Sequence, residues 1–359
     1  MPAQRLARHE HVGTVLRLLD DDALRKLVAA GEPLGEGIGG PTRRVDVDGI
    51  PVFVKQLPLT DLERRPEHRG STADLFGLPL SCHYGIGSPG FTAWREVAAA
   101  SAASDAVLEG RAAHFPLLHH WRVLPQPGTG ASRLLPEPAD VHATVAYWEG
   151  SDAVRRRLVE LAGATATVTL FSEHLPADLD RWLADRVRDG DAALTAALDL
   201  VVPRLHGLVA WLDRHGWLHM DAHFENILTD GQGLYLTDFA LALLPTFDLS
   251  PAERAFAADH ASYDASYVLT HLVTWLVRTL TDAPPEELGR ILADAAAGTR
   301  PAGMPAAAAE LVVRYAPVAA VVRPFYRRLR TETRAATYPA RAVREALAKL
   351  PSERDTSAR

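Results

Sequence analysis

A single cysteine, Cys82, among 359 residues excludes an intramolecular disulfide and suits a reducing compartment. On its own it reads as a small apolar side chain rather than a nucleophile. No apolar run approaches the ~20 residues of a bilayer-spanning helix; the longest, such as 239–245, have the length of core strands. The opening MPAQRLARHEHVGTVLRLL lacks the apolar region and small-residue cleavage site of a secretory leader. Positive charge is also short, with 38 Lys and Arg against 45 Asp and Glu for a net charge of −7. The molecule as a whole therefore has no bulk attraction for nucleic acid or anionic membrane. His114, His119 and His120 lack cysteine partners and metal-site spacing, and read as surface or satisfied core residues. Together these absences predict a soluble, cytoplasmic protein that partners neither nucleic acid nor membrane.

The apolar share of 47% and the charged share of 23% are those of a globular chain with a core. Residues 1–30 carry Val15, Leu16, Leu18, Leu19, Leu24 and Leu27 at helical spacing, an N-terminal helical extension. Strands are expected at 44–47 and 51–57 around the turn Asp48-Gly49. Residues 58–90 are irregular, an Ala-rich helix runs from Thr92 to Val107, and 124–138 is a loop by composition. Ser151-Asp152 caps a helix that ends near Gly163, and 165–171 is a buried strand. Leu194, Leu198, Val201, Leu205, Leu208 and Leu212 mark one face of a long helix that ends at Gly216, with Pro203 expected to kink or divide it. A hairpin over 226–229 and 234–237 turns at Asp230-Gly231; helices resume near Asp264 and run to about Leu350, before a polar tail expected to be disordered. The order is α+β, with a β-rich half followed by a helical half. It predicts two lobes with a ligand cleft between them.

The segment Leu218–Ala240 carries the chemistry. Asp221 and Asn226 stand five residues apart after a helix, and Asp238 closes a short hairpin that would return it beside Asn226. A carboxylate and an amide oxygen brought together in this way suit Mg²⁺, which takes few protein ligands and completes its shell with phosphate and water. Asp221 is left to accept the proton of an attacking hydroxyl. Charge neutralisation, positioning and a proton acceptor are what phosphoryl transfer asks of a protein. The competing structural reading makes Asp221 and Asn226 turn caps and Asp238 a strand end.

In this arrangement the chain resembles the protein-kinase-like superfamily. His219-Met220-Asp221 stands where that family has His-Arg-Asp, Asn226 matches the catalytic-loop Asn, and Asp238-Phe239-Ala240 matches Asp-Phe-Gly. The departures, Met220 and Ala240, remove neither a magnesium ligand nor the base. The resemblance implies a two-lobed kinase-like fold, with the N-lobe over 31–173, the helical C-lobe over 174–350 and the tail over 351–359. It implies that Gly35, Gly37 and Gly40 of a G-x-G-x-x-G segment approach ATP phosphates. Lys55, in Val52-Phe53-Val54-Lys55, would pair with the α- and β-phosphates, and Glu96 would hold that lysine by an ion pair. Glu96 is also what the first turn of any helix favours. Backbone groups of Glu173 and His174 would meet adenine, and Asp264 would brace the catalytic loop, its alternative role being an ordinary helix cap. ATP and Mg²⁺ are the implied cofactors.

A rival motif is Gly85-Ile86-Gly87-Ser88-Pro89-Gly90, which follows an expected strand over 78–84, opens the helix at Thr92 and precedes Asp105 by the dinucleotide-binding interval. The α/β alternation of such a fold is missing, so the segment reads better as a loop feeding the Glu96 helix. The basic run Arg323, Arg327, Arg328, Arg330 and Arg334 reads first as a solvated face and otherwise as a landing site for an anionic substrate.

Asp221-Ala222-His223 resembles the catalytic loop of aminoglycoside and choline phosphotransferases. Only 26 residues separate Asp238 from Asp264, without Ala-Pro-Glu, which is short for a peptide-gripping activation segment. These features imply a small-molecule hydroxyl acceptor ahead of a protein serine or threonine. A nucleotide-binding pseudokinase is the alternative from a different class.

Overall fold

Residues 50–59, rich in Val and Leu, form the middle strand of a five-stranded sheet in the computed structural model. The structure describes residues 3–37, 40–125, 138–281, 283–284 and 286–351. The strands β1 (Glu32–Gly37), β2 (Gly40–Val47), β3 (Ile50–Leu59), β4 (Leu118–Pro125) and β5 (Ala166–Glu173) lie in the order β1-β2-β3-β5-β4, and every pairing is antiparallel. Asp48 and Gly49, with φ of 52° and 80°, make the tight β2–β3 turn that the Asp-Gly pair favours. The mainly helical remainder makes the architecture α+β.

The chain divides into two compact units, residues 1–176 with 235–254 and residues 177–234 with 255–359. In the first, α1 (Ala3–Leu18) and α2 (Asp21–Ala30) lay Val12, Leu16, Leu24 and Val28 on Val45, Val47, Val52, Val54 and Phe171 of the sheet. The helices over 3–30, in the stretch expected as an extension, thus cover one sheet face. Each such side chain stabilises the fold by about 1.5–3 kcal/mol when buried.

On the other face, after the short α3 (Asp61–Arg64), Ala93, Trp94 and Val97 of α4 (Ala93–Leu108) pack on Leu57, Leu59, Val168 and Leu170. Because β3 alternates, Val52 and Val54 point to α1–α2, whereas Leu57 and Leu59 point to α4. Lys55 shares the phase of Leu57 and Leu59. This decides where its amine goes.

The irregular stretch after β3 is organised by one carboxylate. Glu63, fully buried, closes a capping box with Thr60 and accepts the Ala93 N–H that opens α4 at 2.7 Å. Arg157 of α6 (Asp152–Ala162), which follows α5 (Pro138–Tyr147), donates to it at 2.9 Å. Arg95, also fully buried, donates to the Thr72 carbonyl at 2.6 Å and pairs with Glu253. The strand expected over 78–84 is instead a 3₁₀ turn at Leu80–Tyr84. Pro79 precedes it, Gly85 ends it in the left-handed region, and among the described residues no strand stands where that motif needs one, so the dinucleotide-binding reading falls.

β4 was not anticipated from its sequence. Its His119 is a core residue, 3.0 Å from His9 Nδ1, and burial followed by the His9 charge lowers its pKa to about 3. His120 is lowered to about 4, chiefly by burial, and its Nε2 is buried without a partner among the described residues. Cys82 is buried and its thiol is pushed up to about 12, as an inert apolar side chain requires.

In the second unit, β6 (Ala177–Asp178) pairs antiparallel with β7 (Ile227–Thr229). Around them stand α7 (Leu179–Arg188) and α8 (Asp191–His215). β8 (Leu234–Leu236) carries the chain out of this unit and α9 (Pro251–Asp259), which was not anticipated, brings it back. Then follow α10 (Tyr263–Leu280), α11 (Leu288–Ala296), α12 (Ala306–Thr331) and α13 (Ala340–Ala348). Pro203 does not divide α8, which runs unbroken to Gly216 in the left-handed region (φ 64°). Pro203 and Asp199, whose carbonyl loses its bond, are both exposed, so water can satisfy that group while the leucine face stays packed. By length and composition α8 could cross a membrane, contrary to the reading of the apolar runs, and core helices of soluble proteins share that character. The expected tail, apart from Pro351, and most of the expected 124–138 loop fall outside the described residues.

Replacing Glu63 by Ala strands the Arg157 charge in a dry environment. The variant is expected to lose about 3–5 kcal/mol in denaturant unfolding relative to the parent.

Candidate functional site

Lys55 stands on the α4 face of β3, and Glu96 in the first turn of α4 meets it, with Nζ to Oε1 at 2.7 Å. The same ammonium lies 3.0 Å from Oδ2 of Asp238. The side chains of Lys55 and Glu96 are 10% and 6% exposed and that of Asp238 is 37% exposed, so Asp238 is the member that reaches solvent. Phe53, Ala100, Leu118, Leu170 and Phe239 line the space around the three.

Burial opposes the Lys55 charge, but Asp238 and Glu96 outweigh it and hold the lysine pKa well above its usual value. Burial pushes the Glu96 carboxyl up to about 7, against the attraction of Lys55 and aided by the Asp238 charge. Asp238 itself has a φ of 65°, a left-handed conformation that Asp tolerates better than most residues.

Gly35 and Gly37 lie in β1 and Gly40 opens β2 directly opposite Gly37. Gly40 has a φ of 107°, and a Cβ there would come 2.1 Å from the Gln56 carbonyl oxygen. The approach of β2 to β3 is thus enough to require glycine at 40. Ile38 and Gly39, at the centre of this segment, lie outside the described residues.

Glu173 ends β5, and its N–H donates to the Leu117 carbonyl at 2.8 Å. Its carboxylate is held by Arg5 of α1, Nε to Oε1 at 2.8 Å and Nη2 to Oε2 at 2.6 Å, and Arg5 also donates to the Phe115 carbonyl at 2.7 Å. His174 follows, half-buried, with its pKa lowered by burial first and the Arg44 charge second.

In the second unit the segment His219-Met220-Asp221 is fixed by Asp264 at the start of α10. Its carboxylate accepts the N–H of His219 at 2.7 Å and of Met220 at 2.9 Å. Met220 is fully buried with a φ of 68°, a conformation a long unbranched side chain adopts only when its surroundings impose it. The helix-capping alternative for Asp264 does not hold. Burial pushes its carboxyl up to about 6 against the two N–H bonds that favour the ionised form.

Asp221 Oδ1 accepts from the Tyr267 hydroxyl at 3.3 Å, and His223 Nε2 stands 3.7 Å from Oδ2. Asn226 donates Nδ2 to the Asp221 carbonyl at 2.9 Å. A carbonyl needs a donor, so this bond fixes which way the amide faces. It leaves Asn226 Oδ1 without a hydrogen bond among the described residues.

The structure therefore gathers Lys55, Glu96 and Asp238 in the first unit, and Asp221, Asn226 and Asp264 in the second. Asp238 and Asn226, expected side by side, belong to different units. Among the described residues no group of three or more His, Cys, Asp or Glu is placed to hold a metal ion, and an Asp–Asn pair lies below that count. Sequence reasoning did not find Arg5 or Tyr267. Tyr263 and Tyr267 are one helical turn apart and bracket Asp264, a spacing that could have flagged them. Comparison of the sequence with protein-family models finds no matching family, and comparison with curated proteins finds no match.

The Asp264 shift has a definite sign. Its native pKa lies above the unfolded value, so its contribution to stability is complete below about pH 4 and is lost as pH rises through about 6. Unfolding free energy of the parent minus that of Asp264→Asn is expected to fall by roughly 3 kcal/mol between pH 4 and pH 7, measured by urea titration.

Proposed function

We propose that this protein is an ATP- and Mg²⁺-dependent phosphotransferase with a two-lobed, protein-kinase-like fold, moving the γ-phosphate to the hydroxyl of a small molecule in the cytoplasm. The observation that carries the reading is Lys55, buried and held between Glu96 at 2.7 Å and the more exposed Asp238 at 3.0 Å. A buried ammonium is costly and persists only where opposite charges compensate it. Glu96 fixes the ammonium from the buried side, and Asp238, the carboxylate that faces solvent, could take a cation such as Mg²⁺, which would leave the ammonium free to meet the phosphates of ATP.

In this reading Lys55, kept in place by Glu96, orients the α- and β-phosphates. Gly35, Gly37 and Gly40 offer backbone to them, and backbone groups at Glu173 and His174 meet adenine. These last assignments rest on the sequence resemblance. Asp221 receives the proton of the acceptor hydroxyl as its oxygen bonds to the γ-phosphorus; the bond from that phosphorus to the β,γ-bridging oxygen breaks, and the electron pair leaves with ADP. The Asn226 amide, whose Oδ1 has no donor among the described residues, and the Asp238 carboxylate are the oxygen ligands that the resemblance assigns to Mg²⁺, each of the hardness that ion favours. Bound there, Mg²⁺ would neutralise phosphate charge.

A small-molecule acceptor is favoured over a protein by the 235–254 segment. It folds into the first unit, and its Glu253 is buried against Arg95 instead of forming an open peptide platform.

Asp221→Asn is expected to reduce ADP release at least about a hundredfold while calorimetric ATP affinity stays within about twofold. Asp238→Ala is expected to weaken Mg·ATP binding. The acceptor is sought as an ATP-dependent mass gain of one phosphate in a metabolite mixture, with the protein fraction assayed in parallel. Undiminished activity in Asp221→Asn would remove Asp221 from the mechanism.

A further inference from the structure

The face of α12 next to Asp221 carries charge that the phosphotransfer reading has not used. Tyr267, which donates to Asp221 at 3.3 Å, has its ring centroid 5.9 Å from that of Tyr326. The Tyr326 hydroxyl in turn donates to the Tyr263 hydroxyl at 2.5 Å. This chain of tyrosines fixes which side of α12 faces the Asp221 neighbourhood. On a helix of 3.6 residues per turn, Arg323, Tyr326 and Arg330 fall within about 60° of one another, so the arginines stand one turn to either side of Tyr326 on that side.

The arginines of the basic run differ in their partners. Arg328 pairs with Glu332 at 3.3 Å, and Arg334 is buried and partnered. Arg323 and Arg330 have neither a hydrogen bond nor an ion pair among the described residues, although Arg323 is half-buried. The Arg327 guanidinium, on the exposed edge of the same stripe, likewise has no ion pair among the described residues. The two flanking arginines feel each other: burial, then the Arg330 charge, lowers the Arg323 pKa. Arg330 also acts on Tyr267, opposing the upward push from burial and Asp221. Two like charges on one side of the helix, one of them partly desolvated and neither paired among the described residues, suit an anion.

We propose that Arg323 and Arg330, on either side of Tyr326, form a subsite for a carboxylate or phosphate group of the acceptor, whose hydroxyl is presented to Asp221. The inference deepens the phosphotransfer reading by naming the acceptor class, an anionic hydroxyl compound rather than a neutral or cationic one. The tyrosines supply the apolar wall and hydroxyl groups between the two ends.

The test uses the full chain and four small alcohols: glycerate and glycerol 3-phosphate as carboxylate and phosphate probes, glycerol as the neutral control and choline as the cationic one. Binding is measured by calorimetry without nucleotide, and ADP release is measured with Mg·ATP. Expected is binding of at least one anionic probe, weakened tenfold or more in Arg323→Gln/Arg330→Gln and in the single, exposed-site Arg330→Gln. Arg323→Lys/Arg330→Lys should restore part of it, Lys55→Met should bind as the parent does, and the double Gln variant should keep parental Mg·ATP affinity. Which anionic probe binds decides between carboxylate and phosphate. The subsite is overturned if neither anionic probe binds, if the arginine variants bind as the parent does, or if choline or glycerol is preferred. Arginine-dependent anion binding with no ADP release would uphold the subsite and overturn phosphotransfer. ADP release that ignores both arginines would do the reverse.

Discussion

A nearly buried lysine, whose charge is sustained by two carboxylates beside it, is the constraint around which the first unit is organised. Taking an ammonium out of solvent costs several kcal/mol unless its charge is met at close range. The two groups that meet it come from distant parts of the chain, Glu96 from a helix and Asp238 from the segment that returns after the second unit begins. Strand phase decides that Lys55 looks toward α4, and the register with Leu170 of β5 keeps it there. The sheet, the helix start and the returning segment are thereby tied to one charge.

The second unit solves a parallel problem with the opposite sign. Asp264 is a buried carboxylate compensated by two backbone N–H groups rather than by a cation. Those bonds hold Met220 in a conformation it would not adopt by itself and thereby aim Asp221. In both units a nearly buried group positions a more exposed one.

Much of this was legible in the sequence where the signal is local. The Asp-Gly turn with its flanking strands, the buried strand β5, the Ser151 cap and the leucine face of α8 follow from short-range sterics and periodicity. Lys55 was reached by another route, the likeness of Val52-Phe53-Val54-Lys55 to the lysine-bearing strand of the kinase-like superfamily. What stayed hidden depends on partners far along the chain. Nothing local marks Glu63, because Arg157 is 94 residues away, and nothing local marks Glu253 without Arg95. β4 was missed because Leu118-His119-His120-Trp121-Arg122 has no clean alternation; its histidines are inside only because α1 brings His9 to meet one of them. Pro203 misled because the rule against proline in helices concerns a carbonyl that, on an exposed face, water can serve.

The division of the first unit into 1–176 and 235–254 bears on its biosynthesis. As the chain leaves the ribosome, all five strands and α4 are available long before Asp238 and Glu253 emerge. Until then Lys55 has one counter-charge in place of two, and the Arg95 guanidinium has lost its carboxylate. Translation through residue 254 is therefore the earliest moment at which this unit can close, and a fragment cut at residue 176 would be a sheet with two cations left short of their anions. The intervening 58 residues must be carried as a tethered excursion while the first unit waits for its last segment.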